Sequence, residues 1–500
     1  MHRNVLSQTN RLRRVLLVVS TVAGAVSAHA NTLEWETPDA RHDVEAKRTI
    51  GHNWEVYKAS RYIDVFDDDT NQAEAERSSF GGRSDRKYEA TGFFRVEEID
   101  GRWWMIDPLG HPMVHVGLGA VYRKGLTELP DQRQAQLGYA DDRNWADAAT
   151  HFARQHGFTG FGRWSEVKAL NKAGQPMPYV TSLQVMANFA RTLSMTYPKY
   201  GHVGYQGGVI PVFHPDFPTF AQEYAKKNLA ESIDDPYLLG HYTDNELPVS
   251  RTTLDKALRL DAADAIHRYQ YEEAWSWLRD KYGRGVTVDR ATPEDNMEFL
   301  GHVMDTYYRI TSGAIRSVDP NHLILGSRLH GAGHKMPPVI AAAGRHCDVI
   351  SINLYSVWEP YADQMAMWRK AGQGPVLISE MYIRGEDAGL PDDKGAGGMV
   401  RTQADRALWY ENFTLQLLRS GGCVGWDYFK YRDDTDQNKG VLQHDWSHYP
   451  EYTEAMRKAH ELIYPLIDRL DAIGASDGFG DAEAWQPTTG SKIHVMSEER

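Results

Sequence analysis

The sequence predicts an α/β protein built as a (β/α)8 TIM barrel, with an N-terminal extension and long loops after the strands. From residue 111 onward, short β-rich runs alternate with amphipathic helical stretches, and there are eight such runs. Strict alternation of strands and helices implies a parallel sheet, and eight such units imply a closed barrel. A doubly wound sheet is the alternative, but no glycine-rich phosphate-binding fingerprint follows any of the runs.

The composition is that of a globular protein. The 500 residues are 41% hydrophobic and 25% charged, with a formal net charge of −13. An acidic chain is poorly suited to phosphate backbones, so we expect no nucleic-acid partner. The only two cysteines, Cys347 and Cys423, exclude a disulfide scaffold. The 21 histidines show no HExxH or comparable spacing, so we expect no metal and no other cofactor.

Residues 1–30 have the three parts of a secretory signal peptide. Four arginines fall within the first 14 residues, an apolar stretch covers 15–26, and a small-x-small cleavage motif ends at Ala30. The apolar stretch is too short for a transmembrane helix, and no cysteine lies near the cleavage point to carry a lipid. We therefore expect cleavage after Ala30, a periplasmic or secreted protein, and no membrane anchor. The alternative is an amphipathic helix of a cytosolic protein.

A polar stretch and a hairpin precede the barrel. Residues 31–90 are polar and irregular, and we interpret them as an extension. The runs 93–96 and 102–106 then flank Asp100-Gly101, a pair that favours a type I′ hairpin turn. The predicted segments are therefore a signal peptide at 1–30, an extension at 31–90, the barrel at 91–470 and a C-terminal tail at 471–500.

The predicted barrel strands are the eight β-rich runs 113–119, 158–164, 180–186, 238–246, 323–329, 349–355, 375–381 and 422–429. Helical periodicity lies between them. Trp145, Ala149 and Phe152 fall at positions i, i+4 and i+7 of one helical face, and Gly157 stands where a glycine commonly ends a helix. The largest insertion, roughly 250–290, is charged and favours helix.

Two glutamates stand at the predicted carboxyl ends of strands 4 and 7, where the active sites of barrels lie. They are Glu246 and Glu380. Cleaving an acetal requires a proton for the leaving oxygen and a group that meets the oxocarbenium-like carbon, and two carboxyl groups can do both. Glu246 should then have a raised pKa and act as the acid, while Glu380 stays ionised. The alternative for each is a solvated or salt-bridged loop residue.

Other side chains at the strand ends complete a predicted sugar-binding site. Arg163 and Tyr355 would keep Glu380 ionised, and Asn245 would donate to the sugar hydroxyl beside the reacting carbon. Trp426 would form the floor of the pocket by stacking on an apolar sugar face. The remaining predicted contacts are Trp164, Arg328, His330, Tyr382 and Lys430.

These residues resemble those of clan A glycoside hydrolases, the retaining barrels with catalytic glutamates on strands 4 and 7. The resemblance rests on Asn245-Glu246, on Glu380 and on the helix-to-strand segment 319–326. It implies that Glu246 is the acid/base and Glu380 the nucleophile, and that Asn245 binds the hydroxyl next to the anomeric carbon. It also implies that Tyr355 and Arg163 contact the nucleophile and that Trp426 lines the −1 subsite.

Within that clan, the entry into the barrel is similar to that of β-agarases of glycoside hydrolase family 50. The similar segments are 92–112 and 160–165. The resemblance implies a retaining hydrolase of agar-type galactan or its oligosaccharides. The chain departs from the usual layout of that family, because no carbohydrate-binding sandwich of normal size precedes residue 90. Alternatives are a β-galactosidase or β-glucuronidase of the clan, a non-catalytic polysaccharide-binding barrel, and an inverting enzyme or lyase.

Two features bear on the substrate. The glycine-rich loop 383–402 could act as a lid, and with other long loops it favours a deep pocket and exo action. Several cations lie near the predicted mouth and could bind a sulfate or carboxylate on the sugar: Arg163, Arg328, Arg384, Lys430 and His330. Arg328 could instead pair with Asp244.

Overall fold

The structure is a computed structural model that describes residues 41–67, 76–124, 131–137, 141–199 and 201–474. The predicted signal peptide and all but the first residues of the predicted tail lie outside these ranges. Within them, no helix combines the length and the apolar character needed to cross a membrane.

The strands are β1 (His42–Lys47), β2 (Glu55–Ala59), β3 (Arg95–Ile99), β4 (Arg102–Ile106), β5 (Pro112–Met113), β6 (His115–Leu118), β7 (Gly160–Phe161), β8 (Tyr179–Ser182), β9 (Thr196–Lys199), β10 (His202–Tyr205), β11 (Leu238–Tyr242), β12 (Leu323–Ile324), β13 (Ile350–Asn353), β14 (Val376–Met381), β15 (Ile383–Gly385), β16 (Gly398–Val400) and β17 (Cys423–Tyr428).

The α-helices are α1 (Ile63–Asp67), α2 (Asp131–Gln136), α3 (Asp142–Gln155), α4 (Val167–Leu170), α5 (Val185–Thr192), α6 (Phe217–Leu229), α7 (Thr253–Leu258), α8 (Arg268–Tyr282), α9 (Pro293–Arg316), α10 (Pro337–His346), α11 (Ala362–Gly372), α12 (Gln403–Arg419), α13 (Pro450–Glu461) and α14 (Ile463–Ala472).

Eight parallel strands form the central sheet, in the hydrogen-bonded order β12-β11-β8-β7-β6-β17-β14-β13. Seven of them lie within the predicted runs, and β8 begins one residue before its run, at Tyr179. A parallel bridge between Leu329 and Ile352 joins the two ends of this order, and the amide of Asn353 donates to the carbonyl of Leu329 over 2.9 Å. The predicted (β/α)8 barrel is therefore confirmed.

The predicted hairpin closes the amino-terminal end of the barrel. Asp100 and Gly101 have φ angles of 51° and 81°, as a type I′ turn requires. Phe94 and Met105 of this hairpin region belong to one buried cluster with barrel residues such as Leu239. The polar ends of the strands are therefore left open only at the opposite, carboxyl-terminal end.

Helix α3 begins and ends as its sequence predicts. Asp141 accepts from the amide of Asn144 over 2.8 Å and caps the first turn. Trp145, Ala149 and Phe152 are buried. Gly157 follows the helix with a φ of 72°, and a β-carbon there would lie 2.7 Å from His460.

The composition of the N-terminal extension predicted irregular structure, but the described part of it contains two strands and a short helix. Strands β1 and β2 pair with each other, and β1 also pairs with β16, which gives a four-stranded sheet in the order β15-β16-β1-β2. The amide of Ser60 donates to Asn412 of α12 over 2.9 Å. The partner strands come from beyond residue 380, so the composition of the extension contained no sign of them.

The same sheet changes the interpretation of the glycine-rich loop 383–402. Strand β15 begins this loop and β16 lies near its end, and both are paired. The buried side chain of Arg384, on β15, donates to three carbonyls of the segment between the two strands, those of Lys394, Ala396 and Gly397. The loop is therefore fixed by internal bonds in this structure, which does not favour the predicted lid.

Candidate active site

The two predicted glutamates meet at the carboxyl-terminal end of the barrel. Glu380 lies on β14, and Glu246 lies in the loop that follows β11. Asn353 of β13 is the register partner of Glu380, and its Nδ2 donates to Oε1 of Glu246 over 2.7 Å. Ser379 donates to Oδ1 of Asn353 over 2.8 Å, which fixes the orientation of this amide. Asn353 is therefore both a strand neighbour of Glu380 and a hydrogen-bond donor to the carboxyl group of Glu246.

Glu380 is 7% exposed and accepts three hydrogen bonds. Oε1 accepts from the guanidinium of Arg328 and from Nε1 of Trp164 over 2.9 Å. Oε2 accepts from the hydroxyl of Tyr355. Three donors, one of them a cation, therefore converge on this one carboxyl group.

Arg328, and not the predicted Arg163, pairs with Glu380. Arg328 is fully buried, and its Nε also donates to Oδ1 of Asn245 over 2.8 Å. Burial lowers the pKa of Arg328, but Glu380 together with Tyr242, Asp427 and Tyr355 raises it by more, so the pKa lies above its usual value. The alternative partner, Asp244, accepts instead from amides at the start of α5.

Arg163 lies beside the site with a different contact. Its guanidinium stacks on the ring of Trp164 at 4.1 Å from the centroid. Burial and then the charge of Arg328 lower its pKa to about 10. Trp164 is 38% exposed while its Nε1 is bonded to Glu380, so part of this indole is accessible to solvent directly beside the carboxylate.

Glu246 has the surroundings of a proton donor. Burial raises its pKa, the charge of His330 lowers it, and the charge of Glu380 raises it again, with a net increase. Nδ1 of His202, on β10, lies 3.6 Å from Oε2, and Nδ1 of His330 lies 4.0 Å from Oε1. With Asn353 donating to Oε1, the acidic proton belongs on Oε2.

Asn245 fits the predicted role, because its Oδ1 accepts from Arg328 and its Nδ2 is left as the donor. His330 and Tyr382 also lie at the site, with rings 5.6 Å and 5.1 Å from that of Tyr355. Lys430 is less available than predicted, because Nζ pairs with Asp434 at 2.6 Å.

The prediction that Trp426 forms the floor of the sugar pocket is wrong. Trp426 is 1% exposed, and its Nε1 donates to the hydroxyl of Tyr410 on α12 over 2.8 Å. Its neighbour Asp427 points into the barrel, where it binds His115 at 3.0 Å. Successive side chains of a strand point to opposite faces, so Trp426 packs between the barrel and its helices.

Three residues at the site were not among the predicted contacts. Asn353 stands with Tyr355 at the end of predicted strand 6, and this position indicates a site residue. His202 lies on the β9–β10 hairpin, and Lys439 lies in the loop after β17. Neither of these two has a local pattern that points to the site, because only the folding of distant loops brings them there.

Among the described residues, one group of side chains has the composition of a metal site: His241, Asp319 and His322. Both histidines lie 2.8 Å from Oδ2 of Asp319. Their other ring nitrogens are 2.6 Å from the hydroxyl of Thr181 and 2.9 Å from the carbonyl of Asp235. Every ring nitrogen thus has a hydrogen-bond partner, so the group is a buried polar network at the α9-to-β12 joint.

Comparisons with known proteins agree with this fold. No protein-family model matches the chain. Over 496 residues the chain is 23% identical to β-agarase B of Vibrio sp. strain JT0107, covering 78% of this chain and 50% of that protein. β-Agarase A of the same strain is 23% identical over 468 residues, covering 74% and 46%. The chain therefore spans about half the length of the curated relatives it matches.

Among solved structures, BpGH50 is 29% identical, with a TM-score of 0.74 over 86% of this chain and 96% of that one. An exo-β-agarase is 20% identical, with a TM-score of 0.64 over 81% and 69%, and this likeness concerns the fold. The predicted resemblance is confirmed: in sequence, the chain is similar to two β-agarases. In fold, its barrel is similar to BpGH50 and to an exo-β-agarase.

Proposed function

We propose that this protein is a retaining β-glycoside hydrolase with Glu246 as acid/base and Glu380 as nucleophile. The observation that carries the proposal is the contrast between the two carboxyl groups. Glu380 accepts from a guanidinium, an indole and a phenol, whereas burial raises the pKa of Glu246. Two carboxyl groups with opposed protonation states are what a double displacement requires.

In the first step, Oε2 of Glu246 donates its proton to the glycosidic oxygen while Glu380 attacks the anomeric carbon. The C–O bond to the leaving sugar breaks, and a covalent glycosyl-enzyme forms. In the second step, Glu246 takes a proton from water, which displaces Glu380 and restores both groups. Nδ2 of Asn245 would donate to the hydroxyl beside the anomeric carbon, and Trp164 would stack on the sugar face.

The proposed substrate is an agar-type galactan or its oligosaccharides, and the proposed action is exo. Support for the substrate comes from the β-agarases that the chain resembles. Support for exo action comes from the β9–β10 hairpin, which places His202 against Glu246, and from the long loop that follows β17. Loops that crowd a barrel mouth favour capture of a chain end. Because such a polymer lies outside cells, we also propose that the protein is exported through residues 1–30.

The test is product release from a panel of agarose, porphyran, carrageenan, a neutral β-galactan and a glucuronide polymer, with their oligosaccharides. Wild type is compared with Glu380→Ala and with the surface control Glu223→Ala. We expect cleavage of the galactan by wild type and the control, loss of at least about 10⁴-fold in Glu380→Ala, and a product that first appears as the β-anomer by NMR.

Each part of the proposal is contradicted by a different outcome. Unchanged turnover in Glu380→Ala would exclude that residue as the nucleophile. An α-anomer as first product would exclude retention, and internal fragments from long chains would exclude exo action. Binding without cleavage of any panel member would favour a polysaccharide-binding barrel.

A further inference from the structure

Lys439 is a buried cation at the mouth of the barrel. It lies in the loop after β17 and is 7% exposed. Its backbone is fixed at both ends: its amide donates to Asp433 over 2.8 Å, and its carbonyl accepts from the amide of Lys430 over 3.0 Å. Among the residues that the structure describes, no carboxylate pairs with its ammonium group. The position of this charge is thus set by the loop and not by an ion pair.

The ammonium lies next to the aromatic side chains of the site. Nζ is 5.2 Å from the ring centroid of Tyr382 and 5.9 Å from that of Phe429. The Tyr382 ring is 5.1 Å from the ring of Tyr355, whose hydroxyl donates to Glu380. One tyrosine ring therefore separates Lys439 from the residues that hold the proposed nucleophile.

Three of the other cations near the mouth are already neutralised. Three that could have bound an anionic sugar each pair with a carboxylate: Arg328 with Glu380, Arg384 with Asp392, and Lys430 with Asp434. Lys439 differs from these three because no carboxylate among the described residues forms an ion pair with it, and Asp434 and Glu380 act on its charge only at longer range. An unpaired buried charge is expensive to keep, which points to a counter-charge supplied from outside the protein.

The electrostatic surroundings of Lys439 are consistent with a counter-charge supplied by a ligand. Burial, followed by the charges of Arg384 and Lys430, lowers the pKa of Lys439 to about 8. The charges of Asp434 and Glu380 oppose this decrease only in part, and the group remains mostly protonated at neutral pH. A local positive field of this kind stands out in a chain with a net charge of −13.

We propose that Lys439 binds an anionic substituent, a sulfate ester or a carboxylate, on the sugar held beside Glu380. This inference rests on the proposed function and narrows it, because the preferred substrate becomes a charged galactan unit rather than neutral agarose. A charge-assisted hydrogen bond to a buried anion is among the stronger polar contacts a protein can make.

The test is calorimetric binding in a Glu246→Gln background, in which hydrolysis is suppressed while the pair of Glu380 and Arg328 is kept. The ligands are a neutral agarose oligosaccharide, a porphyran oligosaccharide that carries a sulfate ester, and a galactan oligosaccharide that carries a uronic acid. Lys439→Met is compared with Lys439→Arg, and Lys227→Met on the exposed face of α6 is the control. Circular dichroism checks that each variant is folded.

We expect one charged ligand to bind more tightly than the neutral one. Whether that ligand carries the sulfate ester or the uronic acid identifies the anion that the site prefers. Lys439→Met should reduce this preference by about tenfold to a hundredfold, as expected for loss of a charge-assisted hydrogen bond, whereas Lys439→Arg should keep most of it. No preference in the parent, or an equal loss for neutral and charged ligands, would overturn the proposal.

The two proposals fail separately. Binding that depends on Lys439 in a protein that cleaves nothing would leave the anion site standing and remove the hydrolase. Cleavage of neutral agarose with no charge preference in binding would support the hydrolase and remove the anion site.

Discussion

Glu246 and Glu380 are the same side chain in two different environments, and this difference is the basis of the proposed chemistry. Each is surrounded by residues from several strands: Glu380 by donors that follow β7, β12 and β13, and Glu246 by Asn353 and two histidines. The roles of the two glutamates should therefore respond to changes in these neighbours.

Arg328→Met should leave the Glu380 carboxylate without its only guanidinium contact among the described residues. We expect kcat to fall by about 10²–10³-fold, as for loss of a buried charged donor at a reacting group. Steady-state kinetics on the galactan oligosaccharide measure this effect. Arg345→Met, which breaks a surface pair with Asp305, is the control. A loss below tenfold would mean that Arg328 is a packing residue.

His330→Gln should shift the basic limb of the pH profile of kcat/KM to higher pH. The charge of His330 lowers the pKa of Glu246, while burial and Glu380 raise it. Removing His330 therefore raises the pKa of Glu246 further, and the acid form persists to higher pH. His151→Gln, on the exposed side of α3, should not move the limb. A shift to lower pH would contradict the acid role of Glu246.

At the scale of elements, helix α12 carries the attachment of the N-terminal extension. Oε1 of Glu411 accepts from the amide of Ile63 over 2.7 Å, and Oδ1 of Asn412 accepts from Ser60. Burial raises the pKa of Glu411 to about 8, although the Ile63 amide and Arg61 oppose this. The extension is thus held by a carboxyl group that is protonated at neutral pH.

This attachment predicts a pH-dependent stability. A carboxyl group with a raised pKa in the folded state stabilises the fold below its usual value of 4.5, and this contribution is lost as pH rises toward 8. Glu411→Gln keeps the acceptor for Ile63 and removes the titration. Relative to the variant, wild type should lose about 2–4 kcal/mol of unfolding free energy between pH 5 and pH 9. Parallel stability curves in urea would refute this interpretation.

At the scale of the whole molecule, the barrel separates stability from chemistry along its axis. The hairpin side chains Phe94 and Met105 fill the amino-terminal end with apolar contacts, while the polar cluster occupies the other end. This is the usual division of the fold, in which conserved chemistry lies at the carboxyl ends of the strands and the opposite end serves stability.

Phe94→Ala should therefore weaken the fold without changing catalysis. Removing this buried ring should cost about 3–5 kcal/mol of unfolding free energy, measured by urea denaturation. Well below the unfolding transition, kcat and KM should match those of wild type. A changed KM at full folding would mean that the two ends of the barrel are coupled.

The sequence by itself determined the order of the strands, the hairpin turn, helix α3 and the positions of Glu246 and Glu380. These features depend on local periodicity and on turn residues such as Asp100 and Gly101, which act over a few positions. Counting strands was sufficient to place both glutamates at one end of a barrel.

Only the tertiary structure decided which side chains surround them. It showed that Arg328 rather than Arg163 pairs with Glu380, that Trp426 faces the helices, and that Lys439 has no ion-pair partner among the described residues. The strand ends are irregular, with bulges within the β13–β14 and β14–β17 pairings, and the loops are joined by residues hundreds of positions apart. Side-chain direction and ion pairing there depend on long-range packing, which no local pattern in the sequence records.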